Sequence, residues 1–87
     1  MNQTEKQTYH VLLADDSEND RLLLKLAMEQ VPRLRLAAEV SDGDGVVSYL
    51  QGQAQYNDRE QFPAPHLLLL DLKMPARDGF EVLDWLR

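Results

Sequence analysis

An α/β fold of βαβαβα order, with helices packed on a parallel sheet, is predicted by the 87-residue sequence. Three observations carry the prediction. Short apolar runs that stop at carboxylates alternate with segments whose apolar residues recur at helical spacing. Turn-forming residues punctuate the junctions between them. No apolar run exceeds Leu67-Leu68-Leu69-Leu70, far short of the roughly 20 residues needed to cross a bilayer. The length allows one small domain or a piece of one.

Residues 9–14 (Tyr-His-Val-Leu-Leu-Ala) are too short for a helix and read as a strand buried on both faces, ending at Asp15-Asp16. Leu22, Leu23, Leu26, Ala27 and Val31 then recur at helical spacing. Ser17 is placed to cap that helix, Asp20 sits near its positive end and Pro32 stops it. Residues 34–40 begin with apolar and polar positions alternating, which suits a strand at a sheet edge. Ser41-Asp42-Gly43-Asp44-Gly45 is a turn and cap, followed by a short helix through Val46, Val47 and Leu50.

Gln51 to Pro65 is polar and reads as a loop, long enough at about fifteen residues to carry order of its own or to contact a partner. His66 to Leu70 is expected to be a second fully buried strand, ending at Asp71. Lys73-Met74-Pro75-Ala76-Arg77 is a turn. Asp78 caps a third helix in a capping-box pair with Glu81, and Phe80, Leu83 and Leu86 continue it. Parallel crossovers are right-handed. Reversal of the winding after the second strand makes the order 2-1-3, with strands 1 and 3 neighbours at a switch point beyond whose carboxyl ends ligands bind.

Composition excludes several classes. With 9 basic against 15 acidic residues the net charge is −6, which argues against binding nucleic acid through its phosphates. No cysteine is present, so neither a disulfide scaffold nor a Cys-based zinc site exists. The polar start MNQTEKQTYH lacks the apolar stretch of a secretory signal. A soluble cytoplasmic protein without membrane contact is the expectation.

Asp15 and Asp16 follow strand 1 and Asp71 follows strand 3, so the order 2-1-3 sets them at one edge of the sheet. Carboxylates at short range repel unless protons or a cation neutralise them. A hard divalent ion with oxygen ligands is the natural counterion, and Mg²⁺ takes one or two carboxylates, waters and a phosphate oxygen. Such a site can orient a phosphoryl group beside a carboxylate nucleophile. An Asp after a strand also commonly caps a helix or starts a turn. A doublet and a single Asp on adjacent strands favour a site over capping, whereas the Asp78–Glu81 spacing favours a cap.

The segments LLADDSENDR and LLLLDLKMPARDGFEVLDWLR resemble the receiver domain of two-component response regulators. The shared features are the apolar strand ending in an acidic pair and the D-x-K-M-P-x-x-D-G-F-E-V-L pattern. The resemblance implies a truncated flavodoxin-like (CheY-like) doubly wound sheet. It implies Asp71 as phosphoacceptor from the phosphohistidine of a sensor histidine kinase, in a cytoplasmic signalling domain that is not an enzyme. Mg²⁺ would be held by Asp16, Asp71 and the main-chain carbonyl of Lys73, with Asp15 close by. Tyr56-Asn57-Asp58-Arg59 and Pro63-Ala64-Pro65 resemble stand-alone receivers, some of them partners of phytochrome-type kinases.

Nearly the whole chain takes part in the resemblance, yet residues 1–87 match only the first two-thirds of the family fold: strands 1–3 and helices 1–3, without strands 4 and 5. No residue corresponds to the Ser or Thr and the Lys that read the phosphoryl group in the family, and Lys73 is not that lysine. The expectation is an incomplete receiver that keeps the metal site without the switch. Strand 3 would then offer an unpaired apolar edge, which invites dimerisation or domain swapping.

Two other functions fit the same residues. A Mg²⁺-dependent phosphohydrolase with an aspartyl nucleophile usually places a general acid two positions on, and lysine, which stands there as Lys73, is too weak an acid for that part near neutral pH. A receiver-like interaction module that works without phosphorylation does not need the intact Asp15, Asp16 and Asp71. The run from Asp16 superficially resembles a calcium loop, but its sixth position is Arg21 rather than Gly and its twelfth is Ala27 rather than Glu. His10 and His66 lack zinc partners at suitable spacing, and Trp85 is expected to be partly packed.

Overall fold

The structure is a computed structural model and describes residues 7–74 and 77–87. Residues 1–6, the first part of the polar start, and Pro75-Ala76 of the expected turn lie outside the described residues. The elements are β1 (Tyr9–Ala14), α1 (Glu18–Met28), β2 (Leu34–Val40), α2 (Gly43–Gln51), a 3-10 turn (Ala54–Tyr56), β3 (Leu67–Leu70) and α3 (Gly79–Leu86). The three strands form one parallel sheet in the order β2-β1-β3. β1 takes the centre because its apolar run can be covered on both faces. Val11, Leu12, Leu13 and Ala14 are all buried.

Each helix starts as its sequence directs. The Ser17 hydroxyl accepts from the Asp20 amide at 3.2 Å, and the Asp42 carboxylate from the Gly45 amide at 2.7 Å. Asp78 and Glu81 form a reciprocal capping box at 2.9 and 3.0 Å. α1 closes at Met28, ahead of Pro32. The register of β1 on β2 slips between Val11 and Leu12, so Ala37 is an extra residue on the edge strand.

One face of the sheet packs Leu12, Ala14 and Val40 against Val46 and Tyr49 of α2 and Val82 of α3, with Leu68 and Leu70 at its margin. The other face lies under α1, and here the expectation of a fully buried β3 fails. Leu67 and Leu69 are 46% and 38% exposed. The reason is where α1 sits: its main contacts go to β2, and Leu24 meets Leu69 only across an open depression. Leu22, Leu23 and Leu26 of α1 are exposed too, as are Phe80, Leu83 and Leu86 of α3, so helical spacing identified the helices without identifying a covered face.

The long loop does carry order of its own. Its 3-10 turn brings Tyr56 and Phe62 against the ring of Tyr49, at centroid separations of 4.9 and 6.2 Å. Arg59 donates to the carbonyls of Tyr49 and Leu50 at the end of α2 and to that of Phe62, closing the loop on the helix. Gly52 supplies the left-handed turn out of α2, with φ of 67°.

Candidate functional site

The hydrogen-bond ladder of the sheet runs one residue past each strand, and that extension places the acidic side chains. The Asp15 amide donates to Val40 O at 3.1 Å and the Asp71 amide to Ala14 O at 2.8 Å. Neighbouring parallel strands therefore deliver their terminal aspartates to one rim, side by side.

Asp15, Asp16 and Asp71 meet there. Each offers one carboxylate oxygen such that all three lie within 4.8 Å of one another. Two of the carboxylates are fixed locally. Asp15 Oδ1 accepts from the Ser17 amide at 2.9 Å, and Asp71 Oδ1 from the Lys73 amide at 3.0 Å. Asp16 is exposed, whereas Asp15 and Asp71 are partly buried. The site opens beside a depression lined by Asp15, Asp20, Leu24, Leu69, Leu70 and Asp71.

The remaining residues singled out in the sequence fall where their types suggest. Lys73 follows the rim with its amide on Asp71, and its side chain is exposed. Asp78 is a helix cap and Asp42 another. The two histidines stack at the opposite end of the sheet, 5.6 Å between ring centroids, and His66 Nδ1 accepts from the His10 amide. Trp85 is 38% exposed.

Three more residues shape the rim; the sequence pattern contains Gly79 but gave Arg21 and Glu39 no role. Arg21 donates to the carbonyl of Asp15 and pairs with Glu39 of β2. Gly79 lets α3 start directly against the rim, since a Cβ there would meet Leu72 Cα at 2.5 Å and Asp71 O at 2.6 Å. Arg21 and Glu39 are 18 positions apart and meet only because α1 crosses back over β2.

A parallel 2-1-3 sheet with an acidic trio at the carboxyl ends of strands 1 and 3 has counterparts among known proteins. Response regulator Rcp1 of Synechocystis sp. is 36% identical over 73 residues, 84% of this chain and 48% of that protein. The chain is a homologue of response regulators. Its fold is that of their receiver domain in two-component signalling.

Solved structures agree. A response regulator in red light signalling of R. palustris superposes with a TM-score of 0.75 at 36% identity, covering 91% of this chain and 55% of that one. The Mn²⁺-bound form of Rcp1 gives 0.74 at 36% identity, over 86% of this chain and 52% of that one. The phosphorylated cyanobacterial phytochrome response regulator RcpA gives 0.71 at 30% identity, over 87% and 52%. No protein-family model matches the chain. The receiver homologue spans about half the length of the relatives it matches. Among its described residues, no helix is long and apolar enough to cross a membrane.

Proposed function

We propose that this receiver accepts a phosphoryl group on Asp71, with a Mg²⁺ ion held by Asp15, Asp16, Asp71 and the main-chain carbonyl of Lys73. The observation that carries the proposal is the convergence of three carboxylates within 4.8 Å at the ends of adjacent strands. The donor set fits the ion. All its groups are hard oxygens, and three negative charges at this range need a cation close by. A relative with Mn²⁺ bound and another in a phosphorylated form support it.

The Asp71 carboxylate is the nucleophile. One of its oxygens forms a bond to phosphorus as the bond from phosphorus to the donor's imidazole nitrogen breaks, and the freed imidazole takes up a proton from solvent. The Lys73 amide on Asp71 Oδ1 fixes which oxygen stays bound to the chain's own donor. A bound divalent ion neutralises phosphoryl oxygens and lowers the repulsion between phosphoryl group and carboxylate.

The donor in this proposal is a sensor histidine kinase of phytochrome type, since several similar structures are phytochrome response regulators. The setting is cytoplasmic, and the chain acts as phosphoacceptor rather than enzyme. Residues 1–87 correspond to strands 1–3 and helices 1–3 of a receiver. The hydrolase alternative is disfavoured by Lys73, which stands where such enzymes use an acid.

The test is incubation with acetyl phosphate and Mg²⁺, followed by intact mass measurement. One phosphoryl group should add to the unsubstituted chain and none to Asp71→Asn. Uptake by Asp71→Asn overturns the assignment of the acceptor. Catalytic release of phosphate from many small esters overturns the acceptor function in favour of a hydrolase.

A further inference from the structure

We propose that Arg21 is a positioning residue for the divalent-ion site, holding the Asp15–Asp16 peptide so that both carboxylates face the rim. The inference rests on the metal site proposed above and adds a residue that touches neither ion nor phosphoryl group. From α1 the Arg21 side chain, only 16% exposed, reaches two elements at once. Its Nη1 donates to the main-chain oxygen of Asp15 at 2.7 Å, and its Nε to Glu39 Oε1 on β2 at 2.8 Å. Lys25 holds the other oxygen of Glu39 at 2.6 Å, so the anchor is itself anchored.

The Asp15 amide is already tied to Val40 O. That bond holds the peptide before Asp15, and the bond from Arg21 to the Asp15 carbonyl holds the peptide after it, so both planes flanking Asp15 are anchored. A peptide is planar, so fixing that oxygen also fixes the amide and Cα of Asp16. The exposed Asp16 side chain takes its starting point from this plane. The task suits a guanidinium, whose fork serves a carboxylate and a carbonyl together; an ammonium group on a flexible stem does not reproduce that geometry.

Charge and geometry predict opposite signs on substitution. By charge alone, Arg21 repels a divalent cation, and removing it tightens binding. As a positioning residue its removal loosens the site and weakens binding. The experiment is calorimetric titration of the full chain with Mn²⁺, alongside urea unfolding, for the unsubstituted protein, Arg21→Gln, Arg21→Lys and Asp71→Asn. Outer-shell partners of metal ligands are worth 10–100-fold in affinity, and the expected loss is about tenfold in Arg21→Gln. Arg21→Lys keeps the charge and is expected to bind several-fold more weakly than the unsubstituted chain, even where its urea midpoint is restored. Unchanged or tighter Mn²⁺ binding in folded Arg21→Gln, or full affinity in Arg21→Lys, overturns the inference and leaves the metal site standing. Absence of Mn²⁺ binding by the unsubstituted chain, or full binding by Asp71→Asn, overturns the metal site itself and this inference with it.

Discussion

Glu39 shows how one side chain couples the site to stability. The Lys25 hydrogen bond, the largest cause, together with Arg21 holds the Glu39 carboxyl below the usual carboxylate range, against the opposing effect of burial. A lowered value in the folded state means that ionised Glu39 stabilises the fold above its unfolded value near 4.3, and that the contribution disappears as pH falls through the lower folded value. Both partners remain partly exposed, so the contribution is that of a surface pair. Glu39→Gln is expected to cost about 0.5–1 kcal/mol at pH 7, with the difference closing below about pH 4. Urea unfolding at the two pH values measures it; a gap that persists in acid contradicts the assignment. At this scale the acidic trio was legible because a strand ending in carboxylate is a local pattern. Arg21 and Glu39 were not, because their meeting depends on the path of a helix between them.

The segment from α2 to β3 behaves as one element. The Tyr49 hydroxyl donates to Pro63 O at 2.7 Å, and burial pushes that hydroxyl's pKa up. Tyr49→Phe leaves the Pro63 carbonyl without its partner and is expected to cost about 1 kcal/mol. Arg59→Ala removes a charged donor from three carbonyls, for which about 1.5–3 kcal/mol is expected. Thermal or urea unfolding checks both, and a neutral Arg59→Ala would show that the loop does not depend on its clamp. Gly43 matters for another reason. A Cβ there would stand 1.7 Å from the carbonyl oxygen of Arg77, so Gly43→Ala must push α2 and the segment leading to α3 apart. Overpacking of this kind costs about 1–3 kcal/mol, and the Asp71→Asn protein background separates its effect on stability from any on phosphorylation. The sequence revealed the helix starts at Ser17, within residues 41–45 and at Asp78, because an N-cap and its amide lie three residues apart, whereas Gly52, which ends α2, read only as loop. The order inside the loop was hidden, because Arg59 reaches partners nine and ten residues back.

Across the whole molecule, the strand order and the site depend on each other. β1 can lie between β2 and β3 because it is apolar on both faces, and that order alone brings Asp71 beside Asp15 and Asp16. The sequence made the parallel sheet legible through its alternation of strands and helices. It misjudged β3, since four consecutive leucines do not say which face a helix will cover. Leu67 and Leu69 leave apolar surface open on β3, an outer strand of the sheet, and Leu22, Leu23 and Leu26 leave more on α1. Expressed alone, the 87-residue chain is expected to associate with concentration through the outer edge of β3, and light scattering showing a monomer at millimolar concentration contradicts this.

The shared rim is tested most directly by calorimetric titration with Mg²⁺. One binding site is expected in the unsubstituted chain, lost in Asp16→Asn and equally lost in Asp71→Asn, although these residues come from different strands. Retention of full affinity by either variant would mean that the two carboxylates do not hold a common ion.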